Sequence, residues 1–132
     1  MQRRCTLKPE QRTQIAILEW MALQYPIEYG YVVRIGNEGT RSIAGHVLAK
    51  RMGLNVGASD LFIAWPVMRY HGLWLEIKPD GWRKPRNENE KLHIDRQMYF
   101  INKMKARGFY ATMSVGTTQG INTIDRYLRH LL

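Results

Sequence analysis

The sequence predicts an α/β domain in which helices surround a small β-sheet, and three observations lead to that prediction. Apolar residues repeat at helical spacing over two long segments, Pro9 to Tyr25 and His93 to Arg107. Short runs rich in β-branched and aromatic residues lie between them, bounded by glycine or proline. A length of 132 residues suits one compact core, so we predict a single domain over residues 1–132.

Prolines, glycines and one capping residue mark the ends of the predicted elements. Pro9 lies in the first turn of one helix, and Pro26 ends that helix. Ser42 is a candidate N-cap for the next helix, and Gly53 stops it. The polar, densely charged stretch from Pro79 to Lys91 has no hydrophobic period and is predicted to be a loop. The predicted helices are Pro9–Tyr25, Ser42–Met52, His93–Arg107 and a closing helix with Ile121, Ile124, Leu128 and Leu131, and the predicted strands are Tyr31–Ile35, Leu61–Trp65, Leu73–Lys78 and Phe109–Val115.

Net charge is the most informative feature of the composition. Twenty Lys and Arg residues against eleven Asp and Glu residues leave a formal net charge of +9. A basic surface attracts polyanions, and nucleic acid is the commonest polyanion that a soluble protein meets. Ribosome-associated and membrane-surface proteins share this charge, so it favours a nucleic-acid partner without establishing one.

The sequence also excludes a membrane-spanning segment and cross-links between cysteines. The longest apolar run, Leu61 to Met68, is short and interrupted by Pro66, so it cannot cross a bilayer. Cys5 is the single cysteine, which excludes an internal disulfide and a cysteine-based zinc cage. No apolar leader segment follows the first residues, and we expect a protein of the cytoplasm.

Three polar residues on two predicted strands form the strongest candidate site. Side chains alternate between the faces of a strand, so Glu76 and Lys78 share one face of the run Leu73–Lys78. A strand buried on that face would ordinarily carry apolar residues there. Asp60 begins the preceding strand, and pairing of the two strands as a hairpin would bring Asp60 within reach of Glu76.

Two converging carboxylates repel each other unless a cation lies between them, and oxygen ligands of this kind suit Mg²⁺ or Mn²⁺. A nearby lysine can hold or deprotonate an attacking water and offset phosphate charge. An isolated Glu-x-Lys is more often a solvated strand face, and an isolated aspartate is more often a turn residue. The Gly-x-x-Asp turn, the hairpin and the basic charge together favour metal-assisted hydrolysis of a phosphodiester at Asp60, Glu76 and Lys78.

Further polar residues lie where core residues are expected. The apolar stripe of the second long helix consists of Ile94, Met98, Ile101 and Met104. Gln97 falls inside this stripe, where it is either a hydrogen-bonded core glutamine or a residue that orients Lys78 or a metal-bound water. Glu10 and Gln14 likewise lie on the predicted core-facing stripe of the first helix. For Glu10, a role in metal binding and a favourable interaction with the helix dipole are both open.

In this order, these residues resemble the VRR-NUC family of the PD-(D/E)xK nuclease superfamily. The resemblance covers nearly the whole chain, and its specificity comes from the ordered set rather than from one motif. The short length resembles the stand-alone domains of phages and bacteria. The matching segments are Glu10 with Gln14, Asn37 to Arg41, Gly57 to Asp60, His71-Gly72-Leu73 leading into Glu76-Ile77-Lys78, Gln97, and Tyr127-Leu128.

The resemblance implies a restriction-endonuclease-like fold, with a mixed central sheet flanked by helices and Mg²⁺ or Mn²⁺ as cofactor. It further implies a homodimer that acts on branched or structured DNA, as a junction resolvase does. The implied metal ligands are Asp60, Glu76, the Ile77 carbonyl and Glu10, and the implied catalytic residues are Asp60, Glu76, Lys78 and Gln97. The candidate DNA contacts are Asn37, Arg41, Lys50, Arg51, Arg83, Lys84 and Arg86.

The sequence departs from the family pattern at two turns. The family's Gly-x-Pro-Asp turn carries Ser59 in place of proline, which puts the stiffness of the turn in question but removes no ligand. The family's Asn-Gly-Gly-x-Arg loop carries Glu38, a negative charge where DNA would approach. The basic residues of the 79–91 loop are also compatible with an ordinary solvated loop.

Three other hypotheses account for part of the pattern. A restriction-type or end-processing nuclease uses the same core. A DNA-binding module that no longer cuts would share the fold, but it has no reason to keep carboxylates beside DNA phosphates. A basic structural protein of a phage or ribosomal particle explains the charge and leaves the carboxylates unexplained.

Overall fold

A computed structural model describes residues 6–36 and 42–132 of the chain. Two of the candidate DNA contacts, Asn37 and Arg41, lie outside the described residues. The helices are α1 (Pro9–Gln24), α2 (Pro26–Tyr29), α3 (Ile43–Arg51), α4 (Glu88–Ala106) and α5 (Gly116–Leu128), and the strands are β1 (Val32–Arg34), β2 (Leu61–Ile63), β3 (Leu73–Lys78) and β4 (Tyr110–Val115).

The strands of the described residues form one mixed sheet in the order β1-β2-β3-β4. The β1–β2 and β2–β3 pairs are antiparallel, whereas β3 and β4 run parallel. Leu61 pairs with Leu75, which confirms the predicted hairpin and brings the residue before β2 next to the last residues of β3. The parallel pair needs a crossover, and α4 provides it.

Helices cover β3 on both faces. Its aliphatic residues join the main core with Ile17 of α1 and with Ile124 and Tyr127 of α5. Each large apolar side chain buried in this way contributes about 1.5–3 kcal/mol. The opposite face of β3 packs against α4, whose buried residues are Gln97, Phe100 and Ile101. The polar residues of β3 are therefore enclosed by a helix instead of facing solvent.

The predicted 79–91 loop is shorter in the structure, because α4 begins at Glu88 instead of near His93. The Asn87 side chain accepts a hydrogen bond from the Glu90 N–H at 2.9 Å, which caps the helix. The first turn of α4 is polar and mostly exposed, so it adds nothing to the hydrophobic period that predicts helices. The sequence signal for this helix start, which the prediction did not use, is Asn87 followed by the acidic residues Glu88 and Glu90.

The buried faces of two helices also differ from the predicted stripes. In α1 the buried residues are Thr13, Ile17 and Met21. Gln14 is half-buried, and Glu10 is exposed. The prediction that Glu10 faces the core is therefore wrong. In α4 the predicted stripe residue Met98 is 37% exposed, and Phe100 fills the core in its place. Neighbouring positions differ by about 100° around a helix, so an error of one position moves a residue from the core to its border.

Smaller differences occur at element ends and around α3. A one-turn helix, α2, follows the predicted stop at Pro26. The closing helix ends at Leu128, which leaves Leu131 beyond it and 48% exposed. Every residue of α3 is at least partly exposed. Within residues 6–36 and 42–132, no helix combines the length and apolarity that crossing a membrane requires.

Candidate active site

Asp60 and Glu76 meet at the open end of the β2–β3 hairpin. Asp60 immediately precedes β2, and its Oδ2 accepts a hydrogen bond from the backbone N–H of Ile77 at 2.7 Å. This bond places the Asp60 carboxylate beside the segment of β3 that extends past Leu61, the first residue of β2. The two carboxylates are close enough that the charge of Asp60 raises the pKa of Glu76. The predicted convergence of these residues is present in the structure.

Glu76 is buried with an incomplete set of partners. The residue is 3% exposed, and its Oε1 accepts a hydrogen bond from Gln97 Nε2 at 2.6 Å. Its Oε2 has no hydrogen-bond partner in the described part of the chain. Burial first, and then the charge of Asp60, raise the pKa of Glu76 to about 8, against an opposing effect of Lys78. An orphaned carboxylate oxygen beside a second carboxylate is the arrangement that a divalent cation completes.

Lys78 lies on the same face of β3 and is 8% exposed. Its Nζ donates a hydrogen bond to Gln97 Oε1 at 2.7 Å and lies 3.7 Å from Glu76 Oε1. The Trp82 ring covers the other side of this ammonium group, with its centroid 5.7 Å from Nζ. These contacts hold the largely buried ammonium group at one defined position.

Gln97 bridges Glu76 and Lys78 from α4. The glutamine is 5% exposed, and its amide contacts both side chains at once. The position predicted to break the apolar stripe of the helix is thus a polar link between α4 and β3. The same helix makes a second contact that the sequence analysis did not predict. His93 Nε2 lies 3.1 Å from Gln97 Nε2. The four-residue spacing of His93 and Gln97 was the available signal.

The glycine of the Gly57–Asp60 turn is required by a close approach of two backbones. A Cβ atom at Gly57 would lie 2.7 Å from the carbonyl oxygen of Arg96 on α4. Ser59, at the position of the family's proline, is 1% exposed. The turn that carries Asp60 is therefore packed against the residue next to Gln97.

The remaining candidates fall into four groups. Glu10 is exposed and borders the same cleft as Asp60 and Glu76, whose volume is about 1040 Å³. Arg83, Lys84 and Arg86 line the cleft as well, and Arg86 Nη2 pairs with Glu90 Oε1 at 3.3 Å. Lys50 and Arg51 are exposed in the last turn of α3 and are not among the residues lining this cleft, and Asn37 and Arg41 lie outside the described residues.

The backbone geometry of β3 brings the Ile77 carbonyl oxygen to the same edge of the strand as Asp60. Within the described ranges, no third His, Cys, Asp or Glu side chain joins Asp60 and Glu76 in a group that could hold a metal ion. The N–H of Ile77 points toward Asp60, and the N–H and C=O of one strand residue lie on the same edge of the strand. The Ile77 carbonyl therefore lies on the edge that Asp60 occupies.

Comparison with known proteins reveals a shared fold. No family model matches the sequence, and no curated protein matches it. Among solved structures, a VRR_NUC domain protein superposes with a TM-score of 0.71 at 24% sequence identity, and the alignment covers 95% of this chain and 92% of that chain. This likeness confirms the predicted fold, a mixed sheet flanked by helices.

Proposed function

We propose that this chain is a metal-dependent endodeoxyribonuclease of the VRR-NUC type with its active site at Asp60, Glu76 and Lys78. One observation carries the proposal: Asp60 converges at one cleft with Glu76 and Lys78, which Gln97 links to each other. Burying ionisable side chains together costs stability, and such groups cluster at functional sites, where they bind a ligand. The shared fold with a VRR_NUC domain protein supports the same conclusion.

The residues present fit a Mg²⁺ or Mn²⁺ ion. Asp60, Glu76 and the Ile77 carbonyl supply the hard oxygen ligands that these ions prefer, and Glu10 at the rim of the cleft is a further candidate. Cation binding would give Glu76 Oε2 a partner and favour the charged form of both carboxylates. When bound, such an ion polarises the phosphodiester and lowers the pKa of a water molecule.

The other two residues act through position and charge. Lys78 presents a buried ammonium group that can hold the attacking water or offset charge that develops on the phosphate. Gln97 keeps this ammonium group and the Glu76 carboxylate at fixed places. Because their positions are set before substrate binds, little reorganisation is needed during the reaction.

DNA is the proposed substrate. The formal net charge of +9 favours a polyanion, and Arg83 and Lys84 are exposed on the cleft wall. We propose branched or structured DNA, including four-way junctions, as the preferred form, cut by a homodimer that places one active site on each of two strands. A restriction-type or end-processing nuclease is the alternative within the same chemistry, and a non-cleaving DNA-binding module is the alternative outside it.

The decisive experiment compares duplex, flap and four-way-junction DNA with Mg²⁺, Mn²⁺ or EDTA. Cleavage by wild type should require the metal, and Asp60→Asn, Glu76→Gln and Lys78→Ala should each lower the rate by about 100-fold or more. Asp95→Asn on the exposed side of α4 and Lys105→Ala near its end are matched controls that should cut as wild type does.

Each alternative has its own outcome in the same experiment. Cutting in EDTA, or full activity of the three active-site variants, would refute the mechanism. Binding without cutting of any substrate would favour the DNA-binding module. Substrate preference separates a junction resolvase from an end-processing enzyme, and light scattering of the free protein tests the homodimer.

A further inference from the structure

His93 contacts Gln97 in the candidate active site, although it is neither a proposed metal ligand nor a proposed catalytic residue. Its ring lies one helical turn before Gln97 on α4, with Nε2 at 3.1 Å from the Gln97 amide nitrogen. The same nitrogen donates to Glu76, and the Gln97 oxygen accepts from Lys78. A single side-chain amide thus meets three partners, and its orientation decides whether all three contacts are favourable.

Counting donors and acceptors gives this amide one orientation. An ammonium group has no acceptor, so the Gln97 oxygen must face Lys78, 2.7 Å away. The amide NH₂ then faces the other way and supplies one proton to Glu76. Its second proton is directed at His93 Nε2, which must therefore be an acceptor. Only the neutral imidazole with its proton on Nδ1 meets that condition.

We propose that His93 is a positioning residue that, as the neutral Nδ1–H tautomer, holds the Gln97 amide with its oxygen on Lys78 and its nitrogen on Glu76. This inference rests on the proposed nuclease function for its catalytic consequence, but the tautomer itself does not. Without the acceptor at His93, one amide proton loses its partner and the amide is held less firmly. A rotated amide would set its NH₂ against the Lys78 ammonium, so that two donors would face each other.

The charges around the ring keep it neutral. His93 is exposed on one side, and the partial burial of its ring is the first cause that lowers its pKa; the positive charges of Lys78 on β3 and Arg96 on α4 lower it further. Glu76 lies beyond the Gln97 amide and Glu90 lies in the preceding turn of the helix, as the anionic groups of the same region. Protonation would place an N–H where the acceptor is needed, and the two cations oppose it.

The first test is independent of activity. Nitrogen chemical shifts of the imidazoles in ¹⁵N-labelled, metal-free wild type should show His93 neutral at pH 7 with its proton on Nδ1. His46, exposed on α3, is the internal reference in the same spectra. In Gln97→Leu, the proton of His93 should no longer be confined to Nδ1. A wild-type His93 with its proton on Nε2, or charged at pH 7, would overturn the proposal even if the protein cuts DNA as proposed.

The second test separates positioning from folding. His93→Leu removes the acceptor, whereas His93→Gln offers a carbonyl oxygen near the place of Nε2. The leucine variant should lower kcat roughly tenfold with KM for DNA unchanged, and the glutamine variant should recover most of the loss. His46→Leu should behave as wild type. Equal activity of leucine variant and wild type, or equal loss in both His93 variants with intact folding by circular dichroism, would reject the role of His93 while the Asp60→Asn result still judges the nuclease itself.

Discussion

Glu76 shows at the scale of one residue how a candidate metal site destabilises its own protein. A carboxylate that is 3% exposed, close to a second carboxylate and with one oxygen orphaned within the described residues, is costly to ionise. The metal-free protein lowers this cost by binding a proton, which is why the pKa of Glu76 is raised to about 8. The charged form that a metal requires is therefore the disfavoured form when no metal is bound.

This raised pKa predicts how stability changes with pH. Because the folded-state pKa exceeds the ordinary value of 4.5, the contribution of Glu76 is fully present below pH 4.5 and is lost as pH rises toward 8. In EDTA, the Tm of wild type should fall over this window more steeply than that of Glu76→Gln. At pH 8 the variant should melt about 5 °C or more above wild type.

Thermal melts followed by circular dichroism between pH 5 and pH 8 measure the effect. Glu19→Gln on the exposed side of α1 is the matched control and should follow the wild-type curve. Parallel curves for wild type and Glu76→Gln would show that burial does not disfavour the charge of Glu76.

The packing of the Gly57–Asp60 turn against α4 sets the distance between Asp60 and Gln97. Asp60 comes from a turn and Gln97 from α4, and the contact of Gly57 with the Arg96 carbonyl holds these two together. A side chain at Gly57 cannot fit, because the opposing atom is helix backbone and not a flexible side chain. The glycine therefore links the turn that carries one proposed ligand to the helix that carries the polar bridge.

Gly57→Ala should consequently separate the turn from α4. We expect a loss of about 1–3 kcal/mol in the free energy of unfolding and a fall in DNA cleavage greater than that loss of folded protein explains. Gly36→Ala is the matched control, since, apart from its chain neighbours, no atom of residues 6–36 and 42–132 lies within 4 Å of a Cβ atom built there. Urea unfolding and cleavage assays of both variants make the comparison, and a Gly57→Ala protein with wild-type values would contradict the close contact.

At the scale of the whole molecule, charge near the cleft and charge far from it should have different effects. Arg83 and Lys84 are exposed on the wall of the cleft, whereas Lys105 and Arg107 lie at the C-terminal end of α4, about 12 Å and about 15 Å along the helix axis from Gln97. All four residues contribute equally to the net charge of the protein. A difference between the two pairs in DNA binding would therefore reflect contacts with DNA phosphates and not net charge.

The double variant Arg83→Ala, Lys84→Ala should weaken DNA binding and lower the slope of log K against log salt by about 0.9 for each phosphate that no longer pairs with a cation of the protein. The double variant Lys105→Ala, Arg107→Ala carries the same change in charge and should change the slope little. Fluorescence anisotropy with Ca²⁺ in place of Mg²⁺ measures both. Equal effects of the two double variants would place the DNA elsewhere.

Local periodicity explains which parts of this structure were predictable. Alternation along β3 put Glu76 and Lys78 on one face, and adjacency of two strand patterns predicted the hairpin that brings Asp60 to them. Helix periods located α1, α4 and α5 to within a few residues, apart from the polar first turn of α4. The order of these residues along the chain also carried the family resemblance, and its fold is confirmed.

Asp60, Glu76 and Lys78 were therefore available from the sequence by itself as a set of candidates, because strand alternation is a property of the backbone. Only the tertiary structure decided their surroundings: that α4 buries Glu76, that Gln97 joins it to Lys78, that His93 lies against Gln97, and that Glu10 stays exposed at the rim of the cleft. Such contacts depend on how far a helix is rotated and how closely it packs. Residues distant in the chain set that rotation, and no local pattern records it.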